Sequence, residues 1–115
     1  MKLPNASRAV VPVEKLVDYL LDETHPDGGS KAVFFRRAGF RPEAWGELAA
    51  ALLLHATEND VASEEETEHG RKFVIEAVIA MPAGQRPLVR SIWVILRGED
   101  TPRFVSAYPL ASRRD

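Results

Sequence analysis

Leu88-Val89-Arg90-Ser91-Ile92-Trp93-Val94-Ile95-Leu96 is the stretch that decides the fold. β-Branched and aromatic side chains dominate it and no glycine or proline interrupts it, so it reads as a central strand. Downstream, Gly98-Glu99-Asp100-Thr101-Pro102 is a turn signal, and 103–108 forms a last strand. Upstream, Pro82, Gly84 and Pro87 mark 81–87 as a long hairpin loop. Before that loop, 72–80 alternates, with Phe73, Ile75, Ala77 and Ile79 on one face. Glu68-His69-Gly70 turns the chain once more, and 61–67, loaded with Glu64, Glu65 and Glu66, is a strand only as an exposed edge.

Ahead of residue 61 the period lengthens to that of a helix. Leu16, Val17, Leu20 and Leu21 predict a helix over 13–22, with Pro12 placed at its first turn. Ala32, Phe34 and Phe35 predict a second over 31–38, with Ser30 as cap and Gly39 as stop. A third opens at Arg41-Pro42-Glu43 and runs to about residue 59, its buried stripe formed by Trp45, Leu48, Ala49, Leu52, Leu53 and Ala56. Trp45 and Trp93 are both read as core, and His55 and His69 as surface residues.

Helices first and strands after predict an α+β fold: three N-terminal helices packed on one face of a three- to four-stranded antiparallel β-meander. With 115 residues, no internal repeat and no linker, residues 1–115 read as a single domain. Residues 1–12 read as an extended lead-in and 109–115 as a frayed tail.

Composition excludes several classes. The absence of cysteine removes disulfides, thiolate catalysis and Cys-based zinc sites together. No apolar run reaches the length of a membrane span, and Met1-Lys2-Leu3-Pro4-Asn5 lacks the apolar core of a signal peptide, so a soluble, cytoplasmic protein with no membrane partner is expected. The net charge of −2 argues against a surface that tracks nucleic acid throughout. Averaging hides an asymmetry, since Arg86, Arg90, Arg97, Arg103, Arg113 and Arg114 crowd the last third.

Possible chemistry concentrates in His25-Pro26-Asp27-Gly28-Gly29-Ser30-Lys31. His25 is a candidate general acid or base, or else a loop histidine bonded to a helix end. Gly28, Gly29 and Ser30 open a helix, where backbone N–H groups and the dipole attract an anion and Lys31 adds a positive charge; the alternative is a connector whose glycines only make the turn. The spacing is too short for a P-loop. Arg90 interrupts an apolar strand on the face of Ile92 and Val94, so it must reach solvent or a carboxylate. Arg103 opens the last strand, with Ser106 and Tyr108 on its other face. Paired strands would let these groups share a surface with the His25 loop, and salt bridges to the mid-chain glutamates are the alternative. The glutamate run lacks partners at ligand spacing, so no metal and no cofactor are expected. There is no Ser-His-Asp signature, GxSxG or dinucleotide fingerprint.

Leu3-Pro4-Asn5-Ala6, Lys15-Leu16-Val17-Asp18-Tyr19-Leu20-Leu21, His25 to Ala32, Val89-Arg90-Ser91-Ile92-Trp93 and Pro102 to Leu110 together resemble a small bacterial domain family of unknown function, over nearly the whole chain. Members stand alone or form the C-terminal module of polymorphic toxins, which implies a toxin-type effector. The order of helices then strands is similar to the RelE, colicin D and colicin E5 ribonucleases, an analogy of fold without a shared motif. That analogy implies a metal-independent endoribonuclease acting on RNA. His25 would be acid or base, Lys31 and Arg90 would hold the phosphate, and Arg103 or Tyr108 would complete the site. The competing reading is a non-catalytic antitoxin or immunity module whose acidic edge strand pairs with a basic partner protein. A scaffold or capsid-associated module is a third. Oligomeric state is not legible.

Overall fold

The computed structural model describes residues 1–110. A 3-10 turn at Ala6–Arg8 precedes α1, in which the helical turn Val13–Lys15 runs into a π-helical segment, Leu16–Leu20. Helix α2 is Gly29–Arg37. A 3-10 turn at Pro42–Ala44 leads into α3, Trp45–Glu58. Four strands follow: β1 Ser63–Thr67, β2 Gly70–Val78, β3 Leu88–Leu96 and β4 Arg103–Pro109. They form one antiparallel sheet in the order β1-β2-β3-β4, so the expected α+β architecture, three helices on one face of an antiparallel meander, is the one observed.

Strict alternation in β3 divides the sheet. Val89, Ser91, Trp93 and Ile95 are buried on one face, beside Phe73 and Ile75 of β2 and Phe104 and Ala107 of β4. Leu16 and Leu20 of α1, Phe35 of α2, and Leu48 and Leu52 of α3 close the other side of this core. Fully burying each large apolar side chain contributes about 1.5–3 kcal/mol, which is how a short domain holds together without staples. Helix α3 lies over β2 and β3, whereas α1 and α2 lie against β4. Among the described residues no helix packs on the opposite face of the sheet, which carries Glu76, Arg90, Ile92 and Tyr108.

The ends of the elements depart from the sequence expectations in instructive ways. Helix α2 starts at Gly29 with Gly28 as its cap, and the expected Ser30 cap is not used. It stops where expected, because Gly39 takes φ 106°, a left-handed conformation that glycine adopts without strain. The lead-in is tied down by bridges from Lys2 to Asp60 and from Val10 to Arg103. Pro109 closes β4, and the Leu110 N–H donates to the Leu88 carbonyl. The rest of the expected tail, 111–115, lies outside the described residues.

Two core assignments are corrected. Trp45, expected in the buried stripe, is 40% exposed, because it sits on the first residue of α3 with no layer above it. His55, expected at the surface, is buried. Its Nε2–H faces the Ala77 carbonyl at 3.0 Å, which can only accept, so Nδ1 is the acceptor. The Ser91 hydroxyl donates to that nitrogen at 2.9 Å and accepts the Trp93 Nε1–H at 2.9 Å. This chain of bonds satisfies every polar atom only while His55 is neutral.

Burial pushes His55 below the ordinary histidine value, outweighing the opposite effect of the backbone hydrogen bonds at Ala77 and Val89. The unfolded chain therefore binds the extra proton first, starting near the free value of about 6.5. Stability contributed by this group is fully present above about pH 6.5 and falls as pH drops from there toward the lowered folded value. Urea midpoints measured from about pH 7.5 down to about pH 5.5 should decline, and His55→Gln should make that decline shallower. An identical slope in the variant would assign the pH dependence to other groups.

Candidate functional site

The loop that starts α2 is built around His25. Its Nδ1 accepts the backbone N–H groups of Asp27 at 2.9 Å and Gly28 at 3.0 Å, and its carbonyl accepts the N–H of Gly29 at 2.9 Å. His25 thus satisfies amides that the helix leaves without partners. With Nδ1 accepting two N–H groups, the ring proton resides on Nε2. The amides of Gly28 and Gly29, expected to face a phosphate, point at His25 instead. The two glycines serve close packing: a Cβ on Gly28 would lie 2.7 Å from Tyr19 Cδ1, and one on Gly29 2.7 Å from the Glu23 carbonyl oxygen. Ser30 is exposed.

That packing sets Tyr19, carried by the π-helical segment of α1, at the centre of a cluster that the sequence reading did not place there. The His25 ring meets Tyr19 edge to face, with centroids 5.1 Å apart. Lys31, one turn into α2, donates to the Tyr19 hydroxyl at 2.6 Å. The Tyr19 hydroxyl also bonds Ser106 Oγ of β4 at 2.9 Å. The Lys31 ammonium lies 5.1 Å from the Tyr19 ring centroid and 5.7 Å from that of Tyr108, within cation–π range of both. Among the described residues no carboxylate lies within ion-pair distance of Lys31. Burial alone would raise the Tyr19 phenol, yet the hydrogen bonds from Lys31 and Ser106, with the Lys31 and Lys15 charges behind them, hold it below the usual tyrosine value.

Tyr108 continues the cluster onto the uncovered face of the sheet. It stands opposite Arg90 in the register, and Arg90 Nη1 donates to its hydroxyl at 3.0 Å. On the other side Arg90 Nε donates to Glu76 Oε2 at 2.7 Å, completing a cross-strand ion pair. The oxygens of Tyr108 and Glu76 hold the guanidinium more firmly in its charged form.

Arg103 is not brought into this group. Regular alternation puts it on the face opposite Ser106 and Tyr108, but a bulge between Ile92 and Trp93 changes the register, so Arg103 pairs with Val94 and Ser106 with Ile92. Arg103 therefore shares their face by register. It stands four residues along β3 from the Tyr108–Arg90 pair, about 13 Å at ~3.3 Å per residue. Its Nε sits 3.7 Å from Glu99. His25, Lys31, Arg90 and Tyr108 converge, joined by Tyr19 and Ser106, while Arg103 stays with the Glu99 turn.

Tyr19, His25, Lys31, Arg90 and Tyr108 are each half-buried at the surface. A mostly apolar groove of about 370 Å³ runs elsewhere, between α2 and the 81–87 loop, lined by Phe34, Arg37, Met81 and Pro87. Another of about 340 Å³ lies beside His55 and Arg86. Among the described residues no group of three or more His, Asp or Glu side chains is arranged to hold a metal ion, and no helix is long and apolar enough to cross a membrane.

Comparison with known proteins adds a family and a fold. The model of the family described as Domain of unknown function (DUF6883) matches residues 2–111. Among solved structures, one chain of the contact-dependent growth inhibition toxin–immunity protein complex from Klebsiella pneumoniae 342 superposes with a TM-score of 0.69. The match covers 88% of this chain and 99% of that chain at 19% sequence identity, which shows a shared fold. No curated protein sequence matches.

Proposed function

This chain belongs to the DUF6883 family, and from that premise we propose that it is a toxin-type domain that cleaves RNA phosphodiesters in the cytoplasm without a metal ion. The observation that carries the reading is Lys31: a cation within reach of two tyrosine rings, with a phenol oxygen as its hydrogen-bond partner and, among the described residues, no carboxylate beside it. A partly buried ammonium with spare donors favours an anion, and a phosphate supplies one. Arg90 donates to the Tyr108 hydroxyl and lies within cation–π range of the same ring as Lys31, which adds a second positive group. Open surface suits a polymer, which must lie across the site and cannot enter an enclosed cavity.

In metal-free cleavage of RNA the ribose 2′-hydroxyl attacks the adjacent phosphorus and the 5′-oxygen leaves. Such a site needs cations for the charge that builds on the phosphorane, a base for the 2′-proton and an acid for the leaving oxygen. Lys31 and Arg90 supply the cations, with Tyr108 between them. Two groups of the cluster can move protons: His25 through Nε2 and Tyr19, the partner of Lys31, through its phenol oxygen. The overall charge of −2 is compatible with this local patch, because Glu64 and Glu65 are matched by Arg71 at 3.1 Å and Lys72 at 3.5 Å across β1 and β2, toward the edge of the sheet away from β4.

Purified protein incubated with RNA in the presence of a chelator should yield fragments ending in 2′,3′-cyclic phosphate and 5′-hydroxyl. Expression in a bacterial host should arrest growth, with Lys31→Ala or His25→Ala relieving the arrest. The fold neighbour occurs in a complex of a toxin with an immunity protein, so a second reading, an immunity-type module, has one observation in its favour: β1 is an edge strand with exposed Glu64, Glu65 and Glu66. Harmless expression together with copurification of a basic protein through β1 would decide for that reading.

A further inference from the structure

We propose that Tyr19 and Lys31 form a proton-relay pair, with the Tyr19 phenol oxygen taking the proton of the attacking 2′-hydroxyl and Lys31 giving one to the leaving 5′-oxygen. This rests on the ribonuclease reading and deepens it.

The two tyrosines of the chain occupy contrasting settings. Tyr108 receives its hydrogen bond from Arg90, whose charge is matched by Glu76, and a guanidinium does not give up its proton in a protein. Tyr19 receives its hydrogen bond at 2.6 Å from an ammonium that has no acid beside it among the described residues, and has Ser106 Oγ at 2.9 Å as a second donor for a phenolate. The charged and titratable groups facing Tyr19 are Lys15 on its own helix, His25 on the loop and Lys31 on α2, while β4 contributes the neutral Ser106. Each favours a phenolate or is neutral toward it, and the phenol lies below its usual value. The ring is also fixed in place: α2 begins so close to it that a Cβ on Gly28 would collide with Tyr19 Cδ1. His25 meets the ring edge-on and spends Nδ1 on the backbone amides, which makes it a positioning residue.

The step balances. Phenolate oxygen accepts the 2′-proton as the 2′-oxygen to phosphorus bond forms. The bond from phosphorus to the 5′-oxygen breaks, and that oxygen takes a proton from the Lys31 ammonium. Tyr19 is then a phenol and Lys31 an amine, and one proton transfer along their hydrogen bond restores the starting pair. Lys31 has three N–H donors, so one can stay on Tyr19 while others reach the phosphate.

Tyr19→Phe keeps the ring and removes the oxygen. With a random-sequence oligoribonucleotide it should lose about a hundredfold or more in cleavage rate, while binding of the uncleavable 2′-O-methylated oligomer changes by less than about threefold, the low end of what one hydrogen bond contributes. The wild-type rate should rise with pH along a limb that is absent in Tyr19→Phe and retained in His25→Gln. A Tyr19→Phe protein that cleaves at the wild-type rate, or a limb that disappears in His25→Gln, overturns the relay and leaves the ribonuclease reading standing. A wild-type protein that cleaves no RNA overturns both. A second readout is independent of activity. In Tyr108→Phe, Tyr19 is the single tyrosine, so phenolate absorbance titrates it directly. Its midpoint should lie below the free value of about 10 and move upward when Lys31→Met is added. A midpoint at or above the free value, or one indifferent to Lys31, also overturns the relay.

Discussion

Replacing Lys31 by methionine is expected to lower RNA cleavage by about a hundred- to a thousandfold, the loss seen when one preorganised group that stabilises transition-state charge is removed. Methionine keeps most of the apolar stem between the Tyr19 and Tyr108 rings, so the fold should be unaffected. On the ribonuclease reading, the missing ammonium leaves the phosphorane with one cation fewer and Tyr19 without its Lys31 donor. Lys31→Arg separates those two contributions. It restores a positive charge but cannot hand over a proton, so binding of 2′-O-methylated RNA should recover while cleavage stays low. Full recovery of cleavage in the arginine variant would mean that Lys31 acts through charge alone. Melting curves of both variants establish that any loss is chemical.

The second large effect is on stability. Trp93→Ala should cost about 3–5 kcal/mol, the usual result of emptying a large aromatic site in a core. Trp93 is fully buried on β3, its ring meets Phe104 edge to face at 5.4 Å between centroids, and its Nε1–H donates to Ser91. Against a total of about 5–15 kcal/mol for an ordinary domain, such a loss threatens folding outright. Trp93→Phe should cost less, because the ring contact survives and the Ser91 hydroxyl can still donate to His55. Urea midpoints of the two variants check both. A near-neutral alanine variant would mean that the core closes over the space without penalty.

The sheet was legible because its signals are local. The run from Leu88 to Leu96 is mostly apolar and β-branched, holds no glycine or proline, and β3 occupies it from end to end. Local signals also explain Gly39 as the stop of α2. His55 was missed although a signal existed: Leu48, Leu52 and His55 follow helical spacing, so the stripe passes through it. Its polarity hid that, and only the bonds to Ser91 and Ala77, supplied by the strands beneath, make its burial tolerable. Trp45 failed in the opposite direction, since a periodic pattern does not say where a covering layer ends.

The candidate site was half legible for a similar reason. His25, Lys31, Arg90 and Tyr108 carry obvious chemistry, and the hairpin of β3 and β4 puts the last two side by side. Tyr19 and Ser106 are 87 residues apart in the chain, and nothing in either neighbourhood announces the other. Tyr19 also depends on a π-helical turn, which widens the spacing on which periodic reading relies. Arg103 was drawn in by its charge; a single bulge in the register puts it on the face of Tyr108, yet it stands four residues along β3 from the Arg90–Tyr108 pair and stays beside Glu99.

The central claim is that an anion seat exists where α1 and α2 meet β4. Nuclear magnetic resonance titration with a 2′-O-methylated oligoribonucleotide at two salt concentrations tests it most directly. Resonances of Tyr19, Lys31, Arg90 and Tyr108 should shift together, and affinity should fall as salt rises, as it does when phosphates are held by cationic groups. Shifts confined to the acidic strand Ser63–Thr67, or none at those four residues, would contradict the account.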